Sequence, residues 1–126
     1  MRLLTHNMLT SKCMKGVTQG YPLGIQAREV KVTESEFNMD FVSRVIPKLD
    51  YDTLWTAADG LGYSTDLPKK LVENYESNED FLKKIHHVLL EIEVLEGDLI
   101  CPETGRKFPI SSGIPNMLLN EDEVKY

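Results

Sequence analysis

The sequence predicts an α+β domain, with a small sheet built from both termini and a three-helix segment inserted between them. Three observations carry this. Short β-prone runs lie near the start and again after residue 93, while the stretch between holds apolar residues at helical spacing. Each helical run follows an Asn or Asp suited to cap it. At 126 residues and 41% hydrophobic, the chain has material for one core and not for two ordinary domains. The expected division is 1–33 plus 93–120 for the sheet, 34–92 for the helical insertion and 121–126 for a fraying acidic tail.

Residues 2–5 are short and apolar and read as a strand, with Asn7 or Thr10 capping a helical turn around Met8 and Leu9. Residues 16–24 hold three glycines and Pro22 and read as a loop. Residues 25–32 read as a strand; the slip in alternation between Ala27 and Val30 predicts a bulge. Asn38 caps a helix carrying Phe41, Val42, Val45 and Ile46, and Pro47 ends it. Asp50 caps a second helix with Leu54, Ala57, Ala58 and Leu61 on one face, closed by Gly60 and Gly62. Residues 63–77 read as a loop. Ser77 or Asn78 caps a third helix carrying Phe81, Leu82, Ile85, Leu89 and Ile92, with Glu79 and Asp80 well placed against the helix dipole. Val94-Leu95 and Leu99-Ile100 flank Glu96-Gly97-Asp98 and read as a hairpin. Residues 101–105 form a second tight turn, and 107–110 a strand that Pro109 places at a sheet edge.

The net charge of −6 is uneven. Residues 1–33 hold five basic groups against Glu29 alone, a net of +4, whereas 34–97 hold six basic and fourteen acidic groups, a net of −8. That balance argues against a freestanding nucleic-acid binder, which carries a dense basic face. Lys12, Lys15, Arg28 and Lys31 are the candidate contacts to RNA held mainly by something else; the alternative is ordinary solubilising charge. No apolar run approaches the roughly 20 residues that span a bilayer. The first residues lack the apolar stretch of a signal peptide, so nucleus and cytoplasm are the expected locations. Two cysteines allow one disulfide at most, which a reducing compartment disfavours, and are too few for a four-thiolate zinc site.

Catalytic constellations are missing. The sequence has no glycine-rich phosphate loop and no Gly-x-Ser-x-Gly elbow. His86 and His87 are helix neighbours about 100° apart, not expected to share a ligand, one half-buried and one solvated. His6 is expected to bond backbone. Cys13 and Cys101 lack a His-paired motif and read as inert thiols. No catalytic residue is expected. The turn Cys101-Pro102-Glu103-Thr104-Gly105 has the spacing of a zinc knuckle, but Thr104 stands in the second cysteine's place, and a hydroxyl is a poor zinc ligand. The turn is expected to survive without metal, held by hydrogen bonds and packing.

Residues 113–119, Gly-Ile-Pro-Asn-Met-Leu-Leu, are apolar and restricted, immediately before an acidic tail. Either they fold back and complete the core, or they leave a strand edge with apolar flanks open to another protein. Met8 and Leu9 would extend such a patch. Strand addition to an open edge suits several partners.

Residues 1–9 (Met-Arg-Leu-Leu-Thr-His-Asn-Met-Leu), 81–97 and 101–119, the last ending Ile-Pro-Asn-Met-Leu-Leu, resemble the eukaryotic multifunctional methyltransferase-activating subunit family. The resemblance covers essentially the whole chain. It implies a zinc-ribbon-like sheet with a helical insertion. It also implies a non-catalytic role: heterodimers with several class I, S-adenosylmethionine-dependent methyltransferases that modify tRNA, 18S rRNA and the translation termination factor. In such a pair the partner binds S-adenosylmethionine, and tRNA and rRNA are met through the partner. Strand addition and apolar contacts would join the two chains. Carried onto this sequence, the binding positions are Leu4, Thr5, His6, Asn7, Met8 and Leu9, with Ile114, Pro115, Asn116, Met117, Leu118 and Leu119. The family's zinc-binding members carry two cysteine pairs. Here Ser11 and Gly16 fall at the first pair and Thr104 at one of the second, so no zinc and no other cofactor is expected on this chain. The alternative function is a stand-alone small RNA-binding module of ribosome or tRNA maturation. A small enzyme is a third reading without a defensible acid–base pair.

Overall fold

Three side chains start the three inserted helices. Asn38 accepts from the Phe41 amide at 3.0 Å, Asp50 from Thr53 at 3.1 Å and Asn78 from Phe81 at 3.1 Å, each satisfying an amide that the helix leaves without a partner. The structure is a computed structural model that describes residues 1–124; Lys125 and Tyr126, the end of the expected tail, lie outside the described residues. Its helices are α1 (Leu3–Met8), α2 (Met39–Val45), α3 (Tyr51–Leu61) and α4 (Glu79–His86). Pro47 sits in a 3-10 turn, Ile46–Lys48, that follows α2. Gly62, in the left-handed conformation at φ 87°, closes α3. A π-helical turn, His87–Glu91, joins α4 to the sheet.

The strands β1 (Gly24–Val32), β2 (Ile92–Ile100), β3 (Lys107–Ser111) and β4 (Ile114–Pro115) form one antiparallel sheet in that order. Both ends of the chain build it and α2 to α4 are inserted between, an α+β arrangement. The expected bulge in β1 is present as register shifts between Ala27 and Val30. Leu54, Leu82, Ile85, Leu89 and Ile92 centre one buried cluster among the helices. Val94, Leu99, Phe108 and Ile110 centre a second under the sheet. Ile25, Val30 and Leu61 pack against both.

Four expectations are corrected. Residues 2–5 are not a strand: they enter α1, and only Arg2 makes a single bridge, to Glu93. Leu3, His6 and Asn7, at helical spacing, are its buried face, and Leu3 plugs the helical cluster. Asn7 and Thr10 therefore cap no turn at Met8. The hairpin at 94–100 does not form: β2 is one nine-residue strand paired with β1 on one side and β3 on the other. Gly97 serves close approach rather than a turn, since a Cβ there would lie 2.3 Å from the Gln26 carbonyl oxygen. Pro109 is not at the edge, because β4 pairs outside β3. The tail is not frayed through Val124. Glu121–Glu123 form a 3-10 turn, the Arg106 guanidinium holds Glu123 by two bonds at 2.9 and 3.0 Å, and Lys15 donates its amide to the Glu123 carbonyl.

Candidate partner interface

The sheet ends at β1 on one side and β4 on the other. From β4 onward the chain alternates. Ile114, Asn116 and Leu118 face solvent, with Ile114 70% and Leu118 79% exposed. Met117 and Leu119 are half-buried and pack against the sheet cluster. Residues 113–119 thus divide by alternate residues: one row packs on the core, and the other leaves Ile114 and Leu118 exposed. The segment is pinned from below. The amino group of Met1 donates to the Val94 and Gly113 carbonyls, Gly113 donates to Leu95, and Asn116 donates to Pro109. The Asn116 side chain accepts from the Leu118 amide at 3.0 Å, a local turn that sets Leu118 outward.

The N-terminal half of the expected surface divides differently. Met8 is 51% exposed, Thr5 is exposed, and Leu4 and Leu9 are half-buried, Leu9 against the sheet cluster. His6 and Asn7 are buried and engaged internally. The His6 Nε2 bonds the Leu23 carbonyl at 2.6 Å, and burial pushes its proton affinity below the ordinary value. Asn7 exchanges two bonds with the Asp50 backbone, at 2.9 and 3.0 Å, and so ties α1 to the start of α3. Because residues 3–8 are helical, their main chain cannot add to a sheet, and the open border lies only at the outer strands.

The four candidate RNA contacts fall in two places. Lys12 and Lys15 are exposed on the loop that follows α1. Arg28 and Lys31 are on β1, where Arg28 pairs with Asp98 at 2.8 Å and Lys31 stands opposite Glu93.

One carboxylate, that of Glu91, bridges His86 and His87. Glu91 reaches His87 Nδ1 with one oxygen at 2.7 Å and His86 Nε2 with the other at 3.4 Å. The 100° separation rules out a single ligand atom but not a two-oxygen carboxylate. Burial alone would raise the Glu91 pKa, but the Ser35 amide at 2.7 Å and the two imidazoles draw it below the ordinary carboxylate range. Ser35 Oγ lies 3.1 Å from His86 Nε2. A nucleophile relay needs the hydroxyl and the acid on opposite ring nitrogens; here both address Nε2, while the buried Nδ1 has no partner among the described residues. The cluster instead clasps the linker after β1 to the α4–β2 junction. Ser35 and Glu91 were absent from the sequence reading, and only the His87-to-Glu91 helical spacing hinted at them.

The knuckle residues do not fit zinc. Cys101 is buried and its sulfur accepts from Ser11 Oγ at 3.1 Å; Cys13 and Gly16 are exposed. Burial pushes the Cys101 thiol up, but bonds from Ser11 and Thr104 outweigh it and lower its pKa. Among the described residues no group of three His, Cys, Asp or Glu side chains is placed to hold a metal. Among them too, no helix is long and apolar enough to cross a membrane.

Residues 2–113 match the family described as Trm112p-like protein. The chain is similar to the multifunctional methyltransferase subunit TRM112-like protein of Bos taurus, 54% identical over 125 residues and 99% of each chain. It is also similar to the TRM112 homolog A of Arabidopsis thaliana, 51% identical over 126 residues, covering 98% of this chain and all of that one. Its backbone resembles a chain of the E. cuniculi Mtq2–Trm112 complex, described as methylating the eRF1 translation termination factor. The TM-score is 0.50 at 20% identity, over 94% of this chain and 95% of that one, a likeness of fold. With a family match across residues 2–113 and full-length relatives at half identity or better, the chain belongs to the Trm112p-like family.

Proposed function

We propose that this chain is a non-catalytic subunit that binds and stabilises several S-adenosylmethionine-dependent methyltransferases acting on tRNA, 18S rRNA and the translation termination factor. The full-length relatives are named multifunctional methyltransferase subunits. The carrying observation is the exposed row of Ile114 and Leu118 beside the outer strand β4, on a segment pinned to the sheet beneath it. A partner's edge strand laid there would gain main-chain bonds and cover apolar surface, and a standard stable interface buries about 1,600 Å² in total. Binding only the folded partner then stabilises it by mass action. The partner supplies the S-adenosylmethionine site and meets the RNA, in the nucleus and the cytoplasm. The sheet with its 101–105 turn is a zinc-ribbon-like unit, 1–33 plus 93–120, carrying the helical unit 34–92.

The test is affinity purification from cells followed by mass spectrometry of the co-eluting chains, with wild type and Leu118→Glu. Leu118 is 79% exposed, so the free chain keeps its stability to within about 0.5 kcal/mol. In the complex, losing a buried leucine removes about 2 kcal/mol, roughly thirtyfold in affinity, before the carboxylate's own desolvation is added. Methyltransferases recovered with wild type and lost with the variant support the reading; equal recovery of both refutes the surface.

A further inference from the structure

A zinc knuckle works as a cross-link: four ligands on two turns converge on one ion and hold the turns together. The two segments that such an ion would join are both present here, the turn 101–105 and the loop 11–20, without a donor set for zinc. Something else must hold them, and one side chain of the turn reaches across. We infer that the carboxylate of Glu103 replaces the metal as the link between the two segments, so that this end of the sheet closes without an ion.

The geometry is that of an anion in a nest of backbone amides. Thr18 donates to Oε1 of Glu103 at 2.9 Å, while Gln19 and Gly20 donate to Oε2 at 3.0 and 2.7 Å. Three consecutive amides aimed at one carboxylate make an anion-binding concavity, and each bond is charge-assisted. These contacts join positions 83 to 85 residues apart in the chain. The loop is shaped to permit this. Gly20 adopts φ +60°, and a Cβ there would come within 2.6 Å of both the Lys12 nitrogen and Ser11 Oγ. Only glycine therefore lets the 18–20 amides turn outward while Gly20 O accepts from the Ser11 amide at 2.9 Å. The other end of the loop closes on the same turn through Ser11 Oγ and the Cys101 sulfur. The turn keeps its own shape through bonds from Gly105 to the Cys101 carbonyl and from Arg106 to Thr104 Oγ1. Serine and threonine thus stand as hydrogen-bonding groups where thiolates would stand around an ion, and the glutamate adds three charge-assisted long-range bonds to the single one from Ser11.

The experiment uses the full-length free chain as wild type, Glu103→Gln and Glu103→Ala. Metal content, melting temperature with EDTA or added zinc, and exchange of the Thr18, Gln19 and Gly20 amides by NMR are read for each. Wild type should elute with no stoichiometric zinc and melt at the same temperature with EDTA or zinc present. Glu103→Ala should speed exchange at those three amides by at least about tenfold, the loss of one charge-assisted bond each. Glu103→Gln keeps one acceptor oxygen and should fall between, which preserves the test if the alanine variant does not fold. One zinc held per chain, or equal exchange in wild type and the glutamine variant, overturns the inference. Because every readout is on the free chain, its failure leaves the partner reading standing, and the reverse holds too.

Discussion

Replacing Gly97 by alanine tests the continuity of β2 directly. Gly97 is buried in the middle strand region, opposite Ala27 of β1 and Ile110 of β3. An added Cβ would lie 2.3 Å from the Gln26 oxygen, 3.0 Å from the Ala27 Cα and 3.2 Å from the Gln26 carbonyl carbon. All three atoms are backbone, so no side chain can rotate away. Strand β1 must move at its bulge, and overpacking of this kind costs about 1–3 kcal/mol, here toward the upper value. At roughly 4 °C per kcal/mol for a domain of this size, the melting temperature should fall by about 8–12 °C. Gly60 is the control. It sits in α3 with nothing within 4 Å of its Cβ position, so Gly60→Ala should raise stability by about 0.5–1 kcal/mol. Calorimetry or circular dichroism of the two full-length variants beside wild type reads both signs. If Gly97→Ala melts with wild type, the Gln26 backbone does not press on residue 97 and the three-strand register is wrong.

Asn7→Ala should strip the Asp50 amide of its partner, leave the Asp50 carbonyl with the Leu54 amide alone, and cost about 1–3 kcal/mol in urea unfolding, whereas a surface residue would cost almost nothing. Acid should act in two steps. Burial lowers the folded pKa of His6 below its unfolded value near 6.5, so its contribution is complete above that pH and declines as pH falls through it; His6→Gln should flatten this part of the stability curve. Glu123 is held down to about 2, first by Arg106 and then by the Asn120 amide, so its contribution is present above the ordinary carboxylate value of 4.5 and lost as pH falls toward 2. NMR titration of the Glu123 carboxyl should show that midpoint, and Arg106→Gln should move it back toward 4.5.

Local signals were legible in the residues alone. Asn38, Asp50 and Asn78 cap their helices where predicted, since a side chain bonding an amide three residues on needs no tertiary partner. The bulge in β1 and the apolar row through Leu82, Ile85 and Leu89 were readable for the same reason. The motifs at 81–97 and 101–119 were enough to point to the family. What tertiary structure decided was every choice with two locally equal answers. Gly97 signals a tight turn or a close approach with the same missing Cβ, and only the Gln26 backbone beside it selects the second. Six residues from Leu3 suit a strand or a helix, and the socket for Leu3 in the helical cluster settles it. Glu91 and Glu103 look like solvated carboxylates in the sequence. They become clasps because folding brings them to amides 56 and 83 to 85 residues away, and a hydrogen bond across that distance leaves no periodic trace in the chain.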